Sequence, residues 1–119
     1  MRILLILALL PQLAIAKSES EYVREWCDGK GVIEFILPDR TRIDCLTTTH
    51  AIEFDFAKKW GESIGQSLHY AAMTNRKAGI VLILESGKDI KKLERVKGII
   101  KNYDLPIDVW VINDHKTTQ

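Results

Sequence analysis

The chain has 119 residues, 46% hydrophobic and 28% charged, a balance that belongs to ordinary globular proteins and excludes disordered, collagenous and coiled-coil chains. Its formal net charge of +1 is too small for a whole-molecule attraction to nucleic acid. The length suits one domain.

Residues 1–16 read as an address. Arg2 is a short positive region, Ile3 to Leu10 an apolar run, and Ala14-Ile15-Ala16 a small-x-small cleavage signal directly before Lys17. Pro11 interrupts the stretch, which is shorter than the roughly 20 apolar residues of a spanning helix. A signal peptide removed on export is expected, leaving 17–119 as the mature domain, periplasmic or secreted, without stable membrane association. The other readings are an uncleaved anchor, or a cytoplasmic domain behind a misplaced start. Cleavage removes Arg2, after which basic and acidic residues balance. Cys27 and Cys45 suggest a disulfide in an oxidising compartment and two buried thiols otherwise. Zinc has no support, because there is no C-x-x-C and His50, His69 and His115 lack ligand spacing with either cysteine.

Ser18 or Ser20 is placed to cap a first helix, with Glu19 and Glu21 at its positive end and Tyr22, Val23 and Trp26 as an apolar stripe. Asp28-Gly29-Lys30-Gly31 stops it. Val32 to Leu37 reads as a strand, Pro38-Asp39-Arg40 as a tight turn, and Thr41 to Leu46 as the returning strand. A third strand is expected from His50 to Phe56. Ala57 to Thr74 is predicted helical, since Trp60, Ile64, Leu68 and Ala71 or Ala72 recur at spacings of three and four. Ile80 to Leu84 is a continuous apolar run, the mark of a strand covered on both faces. A helix from Asp89 to Asn102 and a strand from Pro106 to Ile112 follow, with residues 115–119 as a frayed tail. This order predicts an α/β fold: a mixed sheet of about five strands, a meander at one end and crossover helices at the other.

Alternation along the third strand points Glu53 and Asp55 to one face and Ile52, Phe54 and Phe56 to the other, while Asp44 sits in the second strand. Three acids on adjacent strands repel one another, and a divalent cation with oxygen ligands relieves them most simply. A solvated sheet face, or an ion pair with Arg42, is the alternative. At about 100° per residue, Lys59, Gln66 and Tyr70 share one side of the following helix. A lysine so placed suits negative charge developing on a phosphate.

The segments Arg42-Ile-Asp-Cys-Leu-Thr, Ala51-Ile-Glu-Phe-Asp-Phe-Ala-Lys-Lys-Trp and Ile64-Gly-Gln-Ser-Leu-His-Tyr-Ala together resemble the PD-(D/E)XK nuclease superfamily, most closely its small members with a RecB-like Q-x-x-x-Y helix motif. The resemblance spans nearly all of the mature chain and implies a restriction-endonuclease-like αβββαβ core. It implies hydrolysis of phosphodiester bonds in nucleic acid, DNA in preference to RNA, with Mg²⁺ or Mn²⁺ held by Asp44 and Glu53, which Asp55 joins as the third acid of the strand cluster. It also assigns Lys59 as electrophilic partner, with Gln66 and Tyr70 positioning the substrate. The family places a lysine two residues after the third-strand acid; here that residue is Asp55, and Lys59 on the next helix takes its place. An accessory acid on the first helix is implied, with Glu21 preferred over Glu25, and Glu34 is either an outer acid or exposed.

The segment Lys88 to Lys101 carries six basic residues against Asp89 and Glu94, suited to a phosphate backbone or to plain solvation. The tryptophans are expected in packing, and His50 either neighbours the acids or sits on an exposed strand edge. Phosphate-binding glycine loops and a nucleophile elbow are missing from the sequence, which leaves nucleotide hydrolysis and serine esterase chemistry without support. Two other readings stay open: a nuclease-fold binding or assembly module without turnover, and a structural domain that forms a homodimer through a sheet edge.

Overall fold

Local chemistry sets the first helix. In a computed structural model describing residue 3 and residues 16–114, α1 (Glu19–Cys27) begins where the Ser18 hydroxyl accepts the Glu21 N–H at 3.3 Å, which satisfies one of the unpaired amides at a helix start. Tyr22, Val23 and Cys27 form its buried stripe. The chain then reverses through Gly29, whose φ of +71° is accessible to glycine at little cost. The leader expected at 1–16 and the tail at 115–119 fall almost wholly outside the described residues.

Next come β1 (Gly31–Ile36), β2 (Arg42–Thr47) and β3 (His50–Phe56), then α2 (Trp60–Thr74), β4 (Lys77–Leu84), α3 (Ile90–Asn102) and β5 (Ile107–Asn113). The sheet order is β1-β2-β3-β4-β5. β1 to β3 are antiparallel neighbours, whereas β3, β4 and β5 run parallel, because α2 and α3 each carry the chain back to its starting edge. The Asp39 carboxylate organises the β1–β2 turn, accepting the Thr41 N–H at 2.9 Å and meeting the His69 ring of α2 at 2.7 Å.

The apolar run in β4 is covered twice, as a parallel strand between crossover helices should be. Val81 and Ile83 join Ile52 and Phe54 against Tyr22, Val23 and Cys27 of α1. Ile80, Leu82 and Leu84 face Leu93 and Val96 of α3, with Ile64 and Leu68 of α2 beside them. The fold is therefore three layers: α1, a mixed five-stranded sheet, and the α2–α3 pair.

β1, β2 and β5 are each shifted by one residue from the sequence expectation, and three further starts differ. A 3₁₀ turn, Ala57–Lys59, precedes α2, and Gly87–Asp89 precedes α3, where buried Asp89 accepts the Glu85 and Ser86 N–H groups. β4 starts at Lys77, since Lys77, Ala78 and Gly79 pair with His50, Ala51 and Ile52, a register invisible to an apolar count. Among the described residues no helix is long and apolar enough to cross a membrane.

Gly79 makes room for a ring: a Cβ there would lie 2.8 Å from Trp110 Cζ3 and 3.0 Å from Ile52 Cγ1. Gly79→Ala should destabilise the fold by about 1–3 kcal/mol through overpacking. A thermal melt checks this, and an unchanged midpoint would show that Trp110 moves freely.

Candidate active site

The β2–β3 ladder pairs Cys45 with Ile52 and Leu46 with Ala51, and one step further the register sets Asp44 opposite Glu53. There the strands part. Asp44 Oδ2 accepts the Phe54 N–H at 2.7 Å, so a side chain takes the place of a backbone carbonyl and the ladder opens into a fork. A cavity of about 280 Å³ fills it.

Asp44, Glu53 and Asp55 line its floor, with Arg42 beside them, and Lys59, Glu62, Gln66 and Tyr70 close it from the α2 side. Glu19 reaches it from the start of α1. All six residues assigned above to metal, electrophile and substrate positioning thus meet in one cavity, together with two acids, Glu19 and Glu62, that were not anticipated. Glu21, preferred as the accessory acid, is exposed and does not line the cavity. The rotation of α1 decides this: Tyr22 and Val23 turn toward the sheet, and Glu19 lies three and four residues before them on the same side. Glu62 has the same signature, three residues after Lys59 and four before Gln66. Glu25 pairs with Lys17. Glu34 is exposed on β1 with φ +53°, and its charge acts on Asp44. His50 points to the opposite face, where its Nε2 meets Asp108 Oδ2 at 2.6 Å.

Five carboxyl groups and two cations share this space, and among the described residues no ion pair joins them. Glu53 is 5% and Asp55 4% exposed. Burial, then the charges of Asp44 and Asp55, push Glu53 up to about 11, and burial followed by the charge of Glu19 pushes Asp55 up to about 7. Asp44 is raised by burial against the opposing pull of the Phe54 N–H and Arg42. Tyr70 is raised to about 12 by burial and the same three acids. A proton on Glu53 therefore does what a cation would otherwise do, limiting the charge beside Asp44 and Asp55. Among the described residues Asp55 Oδ2 is buried with no hydrogen-bond partner, a costly state that a ligand would relieve. Among the described residues no three His, Cys, Asp or Glu side chains converge closely enough to hold a metal as they stand.

A disulfide joins Cys27 of α1 to Cys45, the residue after Asp44. Both half-cystines are fully buried, and the bond ties the helix carrying Glu19 to the strand carrying Asp44. Closing a loop of 18 residues contributes about 3 kcal/mol, so reduction should lower the melting temperature by about 10 °C or more. Melts with and without a phosphine reductant measure it, and coincident curves would refute it. The chain matches no family model, no curated protein and no solved structure.

Proposed function

We propose that this domain is a metal-dependent nuclease of the PD-(D/E)XK type, hydrolysing phosphodiester bonds in nucleic acid, most suitably DNA, as part of an exported protein. One observation carries the reading: two acids face each other across an opened strand pair beside a third whose buried Oδ2 has no partner among the described residues. Support also comes from the run of helix, three antiparallel strands, helix and parallel strand, which is the αβββαβ order the resemblance implies.

An all-oxygen donor set fits a hard divalent ion such as Mg²⁺ or Mn²⁺. Asp44, Glu53 and Asp55 would hold it, once Glu53 gives up its proton and turns from its neighbours. Such an ion supplies Lewis acidity, easing deprotonation of water and offsetting charge on the phosphate. The remaining work belongs to the chain. Asp44 is already fixed by the Phe54 N–H and needs little reorganisation. Lys59 sets a positive charge at the mouth of the cavity, where charge builds on a phosphate oxygen. Gln66, exposed one turn before Tyr70, offers amide donors to the substrate backbone. Tyr70 stays protonated across the physiological range and donates a hydrogen bond.

The test is incubation of the purified protein with duplex DNA, single-stranded DNA and RNA across a panel of Mg²⁺, Mn²⁺, Ca²⁺ and EDTA. Cleavage with Mg²⁺ or Mn²⁺ and none with EDTA is expected. Metal binding by calorimetry without cleavage of any substrate would remove the enzyme and leave a binding module, the outcome to which Asp55 at the usual lysine position points.

A further inference from the structure

The parallel pairing of β3 and β4 matches Phe56 with Ile83, so both strands leave the sheet at the same edge. The 3₁₀ turns that follow them bring Lys58 and Lys59 to that edge from one strand and Lys88 from the other. α3 starts there too, and its first half carries Lys91 and Arg95. The Arg95 guanidinium lies over the Trp60 ring, 5.9 Å from its centroid, and Trp60 follows Lys59, which lines the acidic cavity. A basic ridge thus leads from the cavity through Lys59 and Arg95 to Lys91 and Lys88, with exposed Glu94 the one acid between Lys91 and Arg95 in sequence. Lys92 is neutralised by Asp89 at 3.1 Å. By contrast, Lys88, Lys91 and Arg95 are exposed, and none has an ion-pair partner among the described residues. Lys97 and Lys101 belong to the other half of α3, toward the edge where β5 enters.

We propose that this ridge docks the sugar-phosphate backbone of a nucleic-acid duplex, leading one strand from the acidic cavity across the first half of α3. The surface rests on the nuclease reading for the identity of its polyanion. The dimensions agree. Lys88 to Arg95 spans about 10 Å at 1.5 Å per residue, the length of about three base-pair steps along a duplex axis at 3.4 Å each. Two features favour a duplex over an unpaired strand. The face of Trp60 is covered by Arg95, and the exposed aromatics Phe35 and Tyr103 lie on β1 and beyond the far end of α3. The ridge therefore offers charge without the stacking platforms that single strands use.

The experiment measures binding of a fluorescent 20-base-pair duplex by anisotropy over a salt series with Mg²⁺, using Asp44→Asn protein so that the probe stays intact. Lys91→Gln with Arg95→Gln should weaken binding by about tenfold or more and lower the slope of log affinity against log salt by about 2. Lys97→Gln with Lys101→Gln, an equal loss of charge, should change affinity by less than about threefold. Lys88→Gln with Lys91→Gln, which disturbs no packed ring, should reproduce the first result whether or not loss of the Arg95–Trp60 contact loosens the fold. Equal effects of the near and far pairs, unchanged binding by the near pairs, or no duplex binding by the unmutated surface overturns the proposal. The two readings fail separately: binding through the ridge without cleavage by the wild type removes only the catalysis, and cleavage with a KM indifferent to the near pair removes only the ridge.

Discussion

Asp44→Asn should lower metal-dependent cleavage by about 10³-fold or more while leaving the melting temperature nearly unchanged. Asp44 has two tasks that this substitution separates. Its Oδ2 accepts the Phe54 N–H at the fork, and an asparagine oxygen is an equally placed acceptor, so the strands keep their spacing. The negative charge that would hold a divalent ion is lost, and with it the chemistry the ion supplies. Asp44→Ala removes both tasks. It leaves the Phe54 N–H facing the fork without its acceptor, at a cost of about 1–3 kcal/mol. Comparing the two variants by cleavage rate and thermal melt distinguishes a chemical role from a structural one. Asp44→Asn cleaving at the wild-type rate would sink the assignment, and equal destabilisation by both variants would show that charge itself maintains the fork.

Without divalent metal, the protein should lose stability as pH rises from about 5 to 9, the reverse of the usual behaviour of salt-bridged carboxylates. Glu53 and Asp55 have folded-state pKa values raised by burial and by neighbouring acids; the unfolded chain releases these protons near pH 4. Above that point the folded state binds more protons than the unfolded one, so stability falls as pH rises. The contribution is fully present below about pH 4. For Asp55 it fades up to about 7, and for Glu53 the decline continues to higher pH, at about 1.4 kcal/mol per pH unit for each proton retained. Glu19, Asp44 and Glu62 add their charges to the same balance, and Arg42 and Lys59 oppose them. Saturating Mg²⁺ or Mn²⁺ should flatten or invert the profile, because metal takes the place of protons. Glu53→Gln should flatten it in EDTA by removing the group with the largest upward shift. Melting temperatures in EDTA that are level or rising between pH 5 and 9 would contradict this account.

Much of the site can be read along the chain, because the periodicities of strands and helices are local. Alternation alone separates Glu53 and Asp55 from Ile52 and Phe54, and the two sets face opposite layers in the structure. Spacings of seven and four likewise gather Lys59, in the turn before α2, with Gln66 and Tyr70 on the side that closes the cavity. The same rule, applied to the stripe beginning at Tyr22, selects Glu19 over Glu21, and applied around Lys59 it selects Glu62. Both acids are thus legible from helical spacing, whereas the family pattern points to Glu21.

Taken by itself, the sequence determined the order of elements, the limits of β3, the face on which each acid stands and the double burial of Ile80 to Leu84. Each follows from the geometry of one segment and the solvent preference of its side chains. Tertiary structure alone decided where the β2–β3 ladder ends, that the Phe54 N–H finds the Asp44 carboxylate, and that Asp55 Oδ2 is buried without a partner among the described residues. It also tied α1 to β2 through Cys27 and Cys45 and split the basic residues of α3 between two edges of the sheet. These depend on register between strands and on the rotation of helices over them. Both are set by packing of residues distant in sequence, to which no local period corresponds.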